Sequence, residues 1–106
     1  LGVSAHGDVS DSLFLHNFFG AYTFDAVGMH WYRNAFVGND QYGMDPHDGS
    51  NQFDVAFNLF LDNGRHGLIF SRGCSGNLVR GNVAIGNVGE EVAEGQEDPL
   101  ASPQVE

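Results

Sequence analysis

Seven consecutive residues, Tyr42-Gly43-Met44-Asp45-Pro46-His47-Asp48, bring a phenol, two carboxylates and an imidazole into one short stretch. One repeat further on from Tyr42, His47 and Asp48 stand His66, Ser71 and Arg72. These side-chain types suit proton transfer at carbon. A histidine titrates near neutrality and can abstract a proton, and a neighbouring carboxylate fixes its tautomer. A phenol can give or take a proton. A guanidinium that grips a substrate carboxylate in two bonds neutralises it and acidifies the carbon beside it. Together they suit removal of a proton from the carbon beside a carboxylate, and a long solenoid face carrying them would suit a linear polymer such as a polyuronate.

Such a set needs a frame that stacks one segment on the next, and the spacing supplies it. Asn34, Asn58 and Asn82 recur at one constant interval, Asn39, Asn63 and Asn87 recur at the same one, and Gly43 and Gly67 keep it too. A fixed period in the low twenties is the signature of a stacked solenoid. Aligned on the Asn residues, residues 31–39, 55–63 and 79–87 yield apolar columns Trp31/Val55/Val79, Ala35/Leu59/Val83 and Val37/Leu61/Ile85. The columns alternate with variable positions, as strands with one buried face do, so each is expected to be a buried ladder. Asn tolerates left-handed backbone angles, which predicts that it turns the corners, and stacked Asn side chains can bond one another along the solenoid. No apolar stripe of helical spacing spans three turns.

The expected fold is all-β, a right-handed parallel β-helix of about three 24-residue rungs over residues 1–89, within a piece of a longer chain. Residues 1–25 fit the period less well, and Phe14, Phe18, Phe19, Tyr22 and Phe24 suggest one more, irregular rung. Residues 90–106 are acidic and poor in apolar side chains, the composition of a disordered tail.

On a strand, alternate side chains of the heptapeptide face opposite ways. Met44 and Pro46 align with Leu68 and Phe70 and face inward. Asp45 and His47 then point outward, above Ile69 and Ser71, with Arg72 near Asp48 and Tyr42 stacked near His66. Plainer readings apply to several residues. Asp-Pro and Asp-Gly favour turns, His66 suits a structural corner, and Arg72 could pair with Asp48 alone. His6, His16 and His30 share no spacing, Asp54 and Asp62 read as solvated strand-edge residues, and Cys74 as a buried filler.

The net charge of −10 is uneven, with −6 in residues 90–106 and −4 in the rest. The chain has no Lys, and its four Arg fall between positions 33 and 80, which excludes a basic stripe for nucleic acid but allows a local patch for an anionic substrate. No apolar run is long enough to enter a membrane as a spanning helix. The single cysteine excludes an internal disulfide and a multi-cysteine zinc site. Asp45, His47 and Asp48 do not face one way along a strand, so neither a metal nor any other cofactor is expected.

The Tyr-Gly-x-Asp-Pro-His-Asp motif at residues 42–48 resembles that of the mannuronan C5-epimerases, alginate-modifying β-helix enzymes. His66-Gly67-Leu68-Ile69-Phe70-Ser71-Arg72 is similar to a second segment of their periplasmic bacterial and brown-algal branch. The resemblance covers about residues 30–87. It implies that His47 is the C5 base and Tyr42 the phenol acting on the opposite face of the sugar. Asp45 is then the carboxylate that holds the site together, and Arg72 neutralises the uronate, with Asp48, His66 and Ser71 as substrate contacts. The implied substrate is a linear anionic polysaccharide, polymannuronate or alginate, and the implied location periplasmic or extracellular. The calcium-dependent secreted branch has an Asp at the position of Ser71 and an Arg-His pair where this chain has Val88 and Gly89. Two other readings stay open. The same proton abstraction followed by β-elimination would make a polysaccharide lyase, and a solenoid without turnover would be a carbohydrate-binding module.

Overall fold

The computed structural model describes residues 7–71, 73–89, 92–93 and 104–105, the last two pairs as backbone only. Among them are thirteen short strands and no helix. They are β1 (Asp8–Ser10), β2 (Leu13–Leu15), β3 (Ala21–Phe24), β4 (His30–Tyr32), β5 (Ala35–Val37), β6 (Met44–His47), β7 (Asp54–Ala56), β8 (Leu59–Leu61), β9 (Leu68–Ile69), β10 (Leu78–Arg80), β11 (Val83–Ile85), β12 (Val92–Ala93) and β13 (Gln104–Val105). Every third strand joins the same sheet. One sheet runs β1-β4-β7-β10-β13, a second β2-β5-β8-β11, and a third β3-β6-β9-β12. All pairings are parallel, and the central rungs keep the sequence period in their register, with Trp31 opposite Val55 and Val55 opposite Val79. The chain is a three-sided β-solenoid in which three turns carry it from β1 to β10.

Strands this short need firm corners, and asparagine supplies them from inside. Asn34 and Asn58 each donate an amide N–H to the Oδ1 of the next Asn of the column, both at 3.0 Å. Asn39, Asn63 and Asn87 repeat this at 2.9 and 2.8 Å. The second amide hydrogen of Asn63 goes to the Phe36 carbonyl, and its Oδ1 also accepts the Asn39 N–H. This buried side chain therefore makes all four bonds of which an amide is capable. The ladder is as the period implies, but the left-handed residue is not the Asn. It is the residue before it in the first column, Arg33, Phe57 and Gly81, at φ between 53° and 63°, and Asp11 takes the same conformation before Ser12. Turning the chain one residue early leaves the Asn free to point inward.

The core sits inside the triangle of sheets. Phe14, Phe36 and Phe60 stack face to face with centroids 4.9 Å apart, one ring per rung. Trp31, Val55 and Val79 line the first sheet, and Ala21, Met44 and Leu68 the third. The expectation of buried ladders holds for Trp31/Val55/Val79 and fails for the other two columns. Ala35/Leu59/Val83 and Val37/Leu61/Ile85 face outward, and Val83 and Ile85 are more than half exposed. Both faces of the second sheet are apolar, so alternation alone does not say which is inside. The larger Phe column fills the interior.

Residues 8–24 form a complete rung with a tighter register than the rest. Asp8 pairs with His30 and Leu13 with Ala35, each two positions short of the period, and Ala21 pairs with Met44, one position short. The disordered tail expected over 90–106 lies mostly outside the described residues, and within it β12 and β13 pair with β9 and β10. Cys74 is buried, its thiol 3.5 Å from the Pro46 carbonyl. Asp54 is not merely solvated: Arg80 grips it with two bonds of 3.0 and 2.8 Å, which holds its carboxyl below the usual range. Asp62 is exposed at a left-handed corner. His30 pairs with Asp8 at 3.2 Å, and His6 lies outside the described residues.

Candidate active site

The heptapeptide enters the third sheet at Gly43, whose backbone passes so close to the next rung that a Cβ would press into the Gly67 carbonyl. Met44 registers with Leu68, but Pro46 has no N–H, and beyond Ile69 the Ser71 N–H reaches the Pro46 carbonyl. After His47 the chain turns. The Ser50 N–H and hydroxyl both reach the His47 carbonyl, at 3.1 and 2.6 Å, and Gly49 takes φ 75°. The Ser50 and Thr23 hydroxyls are 2.8 Å apart in the interior. The motif is thus strand through His47 and turn beyond it, with the His47 backbone pinned from within.

Met44 and Pro46 face the core as expected. Asp45 and His47 occupy the outward columns, but Asp45 is not solvated, being only 3% exposed. The Ser71 hydroxyl donates to its Oδ1 at 2.8 Å. Burial pushes the Asp45 carboxyl above the ordinary range, against the pull of the Ser71 bond and of His47, and the Asp48 charge adds to the rise. His47 is 29% exposed through the rest of its side chain, while Nδ1 is shut from solvent. Nδ1 lies 3.4 Å from Asp48 Oδ2, within ion-pair reach but without hydrogen-bond geometry among the described residues.

A second group stands at the strand's entry. Phe19, Tyr42 and His66 stack along the solenoid, with centroids 5.4 Å and 5.6 Å apart, the last pair inclined by 3°. Gly89 comes next, where a Cβ would meet the His66 ring. A groove of about 390 Å³ opens there, lined by Gly64, Arg65, His66, Val88 and Gly89. A larger groove of about 690 Å³ lies at another corner, around the Asp11–Arg33 pair, Phe57 and Val83. Its two charged lining residues are bound to each other, and it lies on the second sheet rather than the third.

The structure therefore gathers Asp45, His47, Asp48 and Ser71 into one cluster and Tyr42 with His66 into an adjoining stack. Arg72 lies outside the described residues. The expected basic patch is thinner than the sequence suggests, since Arg33 is bound by Asp11 at 2.8 Å and Arg80 by Asp54. Among the described residues no three His, Cys, Asp or Glu side chains converge as a metal site. One neighbour goes unseen in the sequence. Tyr22 registers with Asp45, and its ring lies 5.5 Å from that of His47. Its offset falls one position short of the period, which hides it from an alignment of the rungs.

No family model matches the chain, and no solved structure matches it. It is 30% identical over 82 residues to a mannuronan C5-epimerase of Pseudomonas fluorescens, a stretch that takes in 76% of this chain. The chain spans 16% of the length of that relative.

Proposed function

We propose that this chain carries the reaction centre of a mannuronan C5-epimerase-like enzyme, converting β-D-mannuronate to α-L-guluronate within a linear polymer. The observation that carries this reading is the partly exposed His47 beside Asp48 on a sheet face flanked by buried Asp45. The similarity to the Pseudomonas epimerase supports it. His47 takes the C5 proton, the C–H electron pair moves into the uronate carboxylate, and Arg72 neutralises the charge that develops. Asp48 steadies the imidazolium. Tyr42 then delivers a proton to the opposite face of C5, and the glycosidic bonds stay intact. Under this reading the protein works where the polymer is, in the periplasm or outside the cell.

The test is proton NMR of polymannuronate incubated with the chain in deuterium oxide. Deuterium at C5 together with guluronate signals is the expected result. His47→Ala removes the base and lowers exchange by about 10²- to 10⁴-fold. Unsaturated chain ends would instead identify a lyase. Saturable binding without exchange by the folded protein would leave a binding module and sink the assignment of His47.

A further inference from the structure

Tyr22 and Phe24 stand on β3, one rung before the motif. Tyr22 registers with Asp45 and Phe24 with His47. Their strand neighbours Ala21 and Thr23 are buried, so the alternation is intact and both rings belong to the outer face. They are 38% and 40% exposed. One rung beyond the motif the same outer face carries Ile69 and Ser71. The aromatic pair is therefore confined to one side of His47. It is continuous with the site, because the Tyr22 ring contacts the His47 ring at 5.5 Å and the Phe19 ring at 6.0 Å.

We propose that Tyr22 and Phe24 form the subsite for the uronate residue adjoining the one that reacts at His47, holding its pyranose ring against their aromatic faces. This rests on the reading of His47 as the C5 base of a linear polyuronate. Successive rungs lie about 4.8 Å apart, close to the length of one 1,4-linked pyranose, so a polymer running along the solenoid meets one rung per sugar. A pyranose presents axial C–H groups on its apolar face, which suit the electron-rich face of an aromatic ring. An anionic sugar placed beside Asp45 and Asp48 is repelled by them, and neutral rings bind it without adding charge. Burial and those two carboxylates push the Tyr22 phenol upward, so it remains a neutral donor for a sugar hydroxyl.

The experiment pairs calorimetric binding of mannuronate oligomers of graded length with C5 exchange kinetics for Tyr22→Ala, Tyr22→Phe and Phe24→Ala. Each alanine variant is expected to weaken binding and raise KM about fivefold to tenfold while kcat changes by less than about twofold. Tyr22→Phe keeps most of the affinity, and the losses shrink on oligomers too short to span two rungs. Urea midpoints should stay near that of the parent chain, because both rings are exposed. Unchanged binding and KM in Tyr22→Ala would overturn the subsite. So would a loss of kcat in Tyr22→Phe as deep as in Tyr22→Ala, which would make the phenol a proton-transfer group. If oligomers bind and Tyr22→Ala weakens them while no deuterium enters, the subsite stands and the epimerase reading falls.

Discussion

Asp45 is where burial and charge oppose each other most directly. Its carboxyl is pushed above the ordinary value by burial, so between the unfolded pKa of about 3.9 and the folded one the native state holds a proton that the unfolded chain has released. The native state binds more protons there, and stability falls as pH rises. The contribution is fully present below the unfolded value and is lost as pH climbs through the folded one. Asp45→Asn should therefore unfold at higher urea than the parent at pH 7, with the gap closing near pH 3. A gap independent of pH would mean that the carboxylate is not the source. Ser71→Ala acts in the opposite direction, removing the hydroxyl bond to that carboxylate at a cost of about 1–3 kcal/mol at neutral pH. The motif's chemistry is legible in the residue types, but the burial of Asp45 is not. Period-2 alternation reports which column a side chain occupies, and only the neighbouring side chains decide whether water reaches it.

At the scale of the element, the asparagine ladder and the phenylalanine stack divide the work. Asn63→Ala deletes four side-chain bonds at once and leaves the Asn39 N–H unpaired in the interior. A cost of at least about 3 kcal/mol follows from these losses together, read as a drop in urea midpoint, and a near-neutral result would show that water enters the corner. The second sheet offers a sharper contrast. Phe60→Ala opens a cavity in the stack and should cost about 3–5 kcal/mol. Val83→Ala, on the outer face, should cost less than about 1 kcal/mol. If the two costs were reversed, the sheet would face the other way. The sequence alone favours the wrong face here, because Ala35, Leu59, Val37 and Leu61 are as apolar as the column they alternate with. Volume rather than polarity makes the choice, and it shows only when the rings are seen to stack. The corners follow the same pattern. The recurrence of Asn marks where the chain turns, while the strained residue is its predecessor, a position filled by Asp, Arg, Phe and Gly with no common chemistry to read.

For the whole molecule, the repeat makes stability nearly a sum over neighbouring rungs. The rung from Asp54 to Asn77 keeps the full period on both sides, to His30 and Ala35 before it and to Leu78 and Val83 after it. A second copy inserted after Asn77 would therefore meet matched partners on each face. Its Asn residues would extend both ladders, its Phe would lengthen the ring stack, and its Asp would stand in register to receive Arg80 as Asp54 does now. The insertion should raise both the urea midpoint and the m-value, since m grows with the surface exposed on unfolding. The site on β6 should keep its C5 exchange, because β3, β6 and β9 stay adjacent. A single-residue deletion within β8 provides the control. It would throw Leu59–Leu61 out of step with both neighbours, turn the Phe60 ring outward, and abolish the cooperative transition. Were the duplicated chain less stable than the parent, the rungs would not be interchangeable, and the shortened register of the first rung would be a structural requirement rather than a local variation.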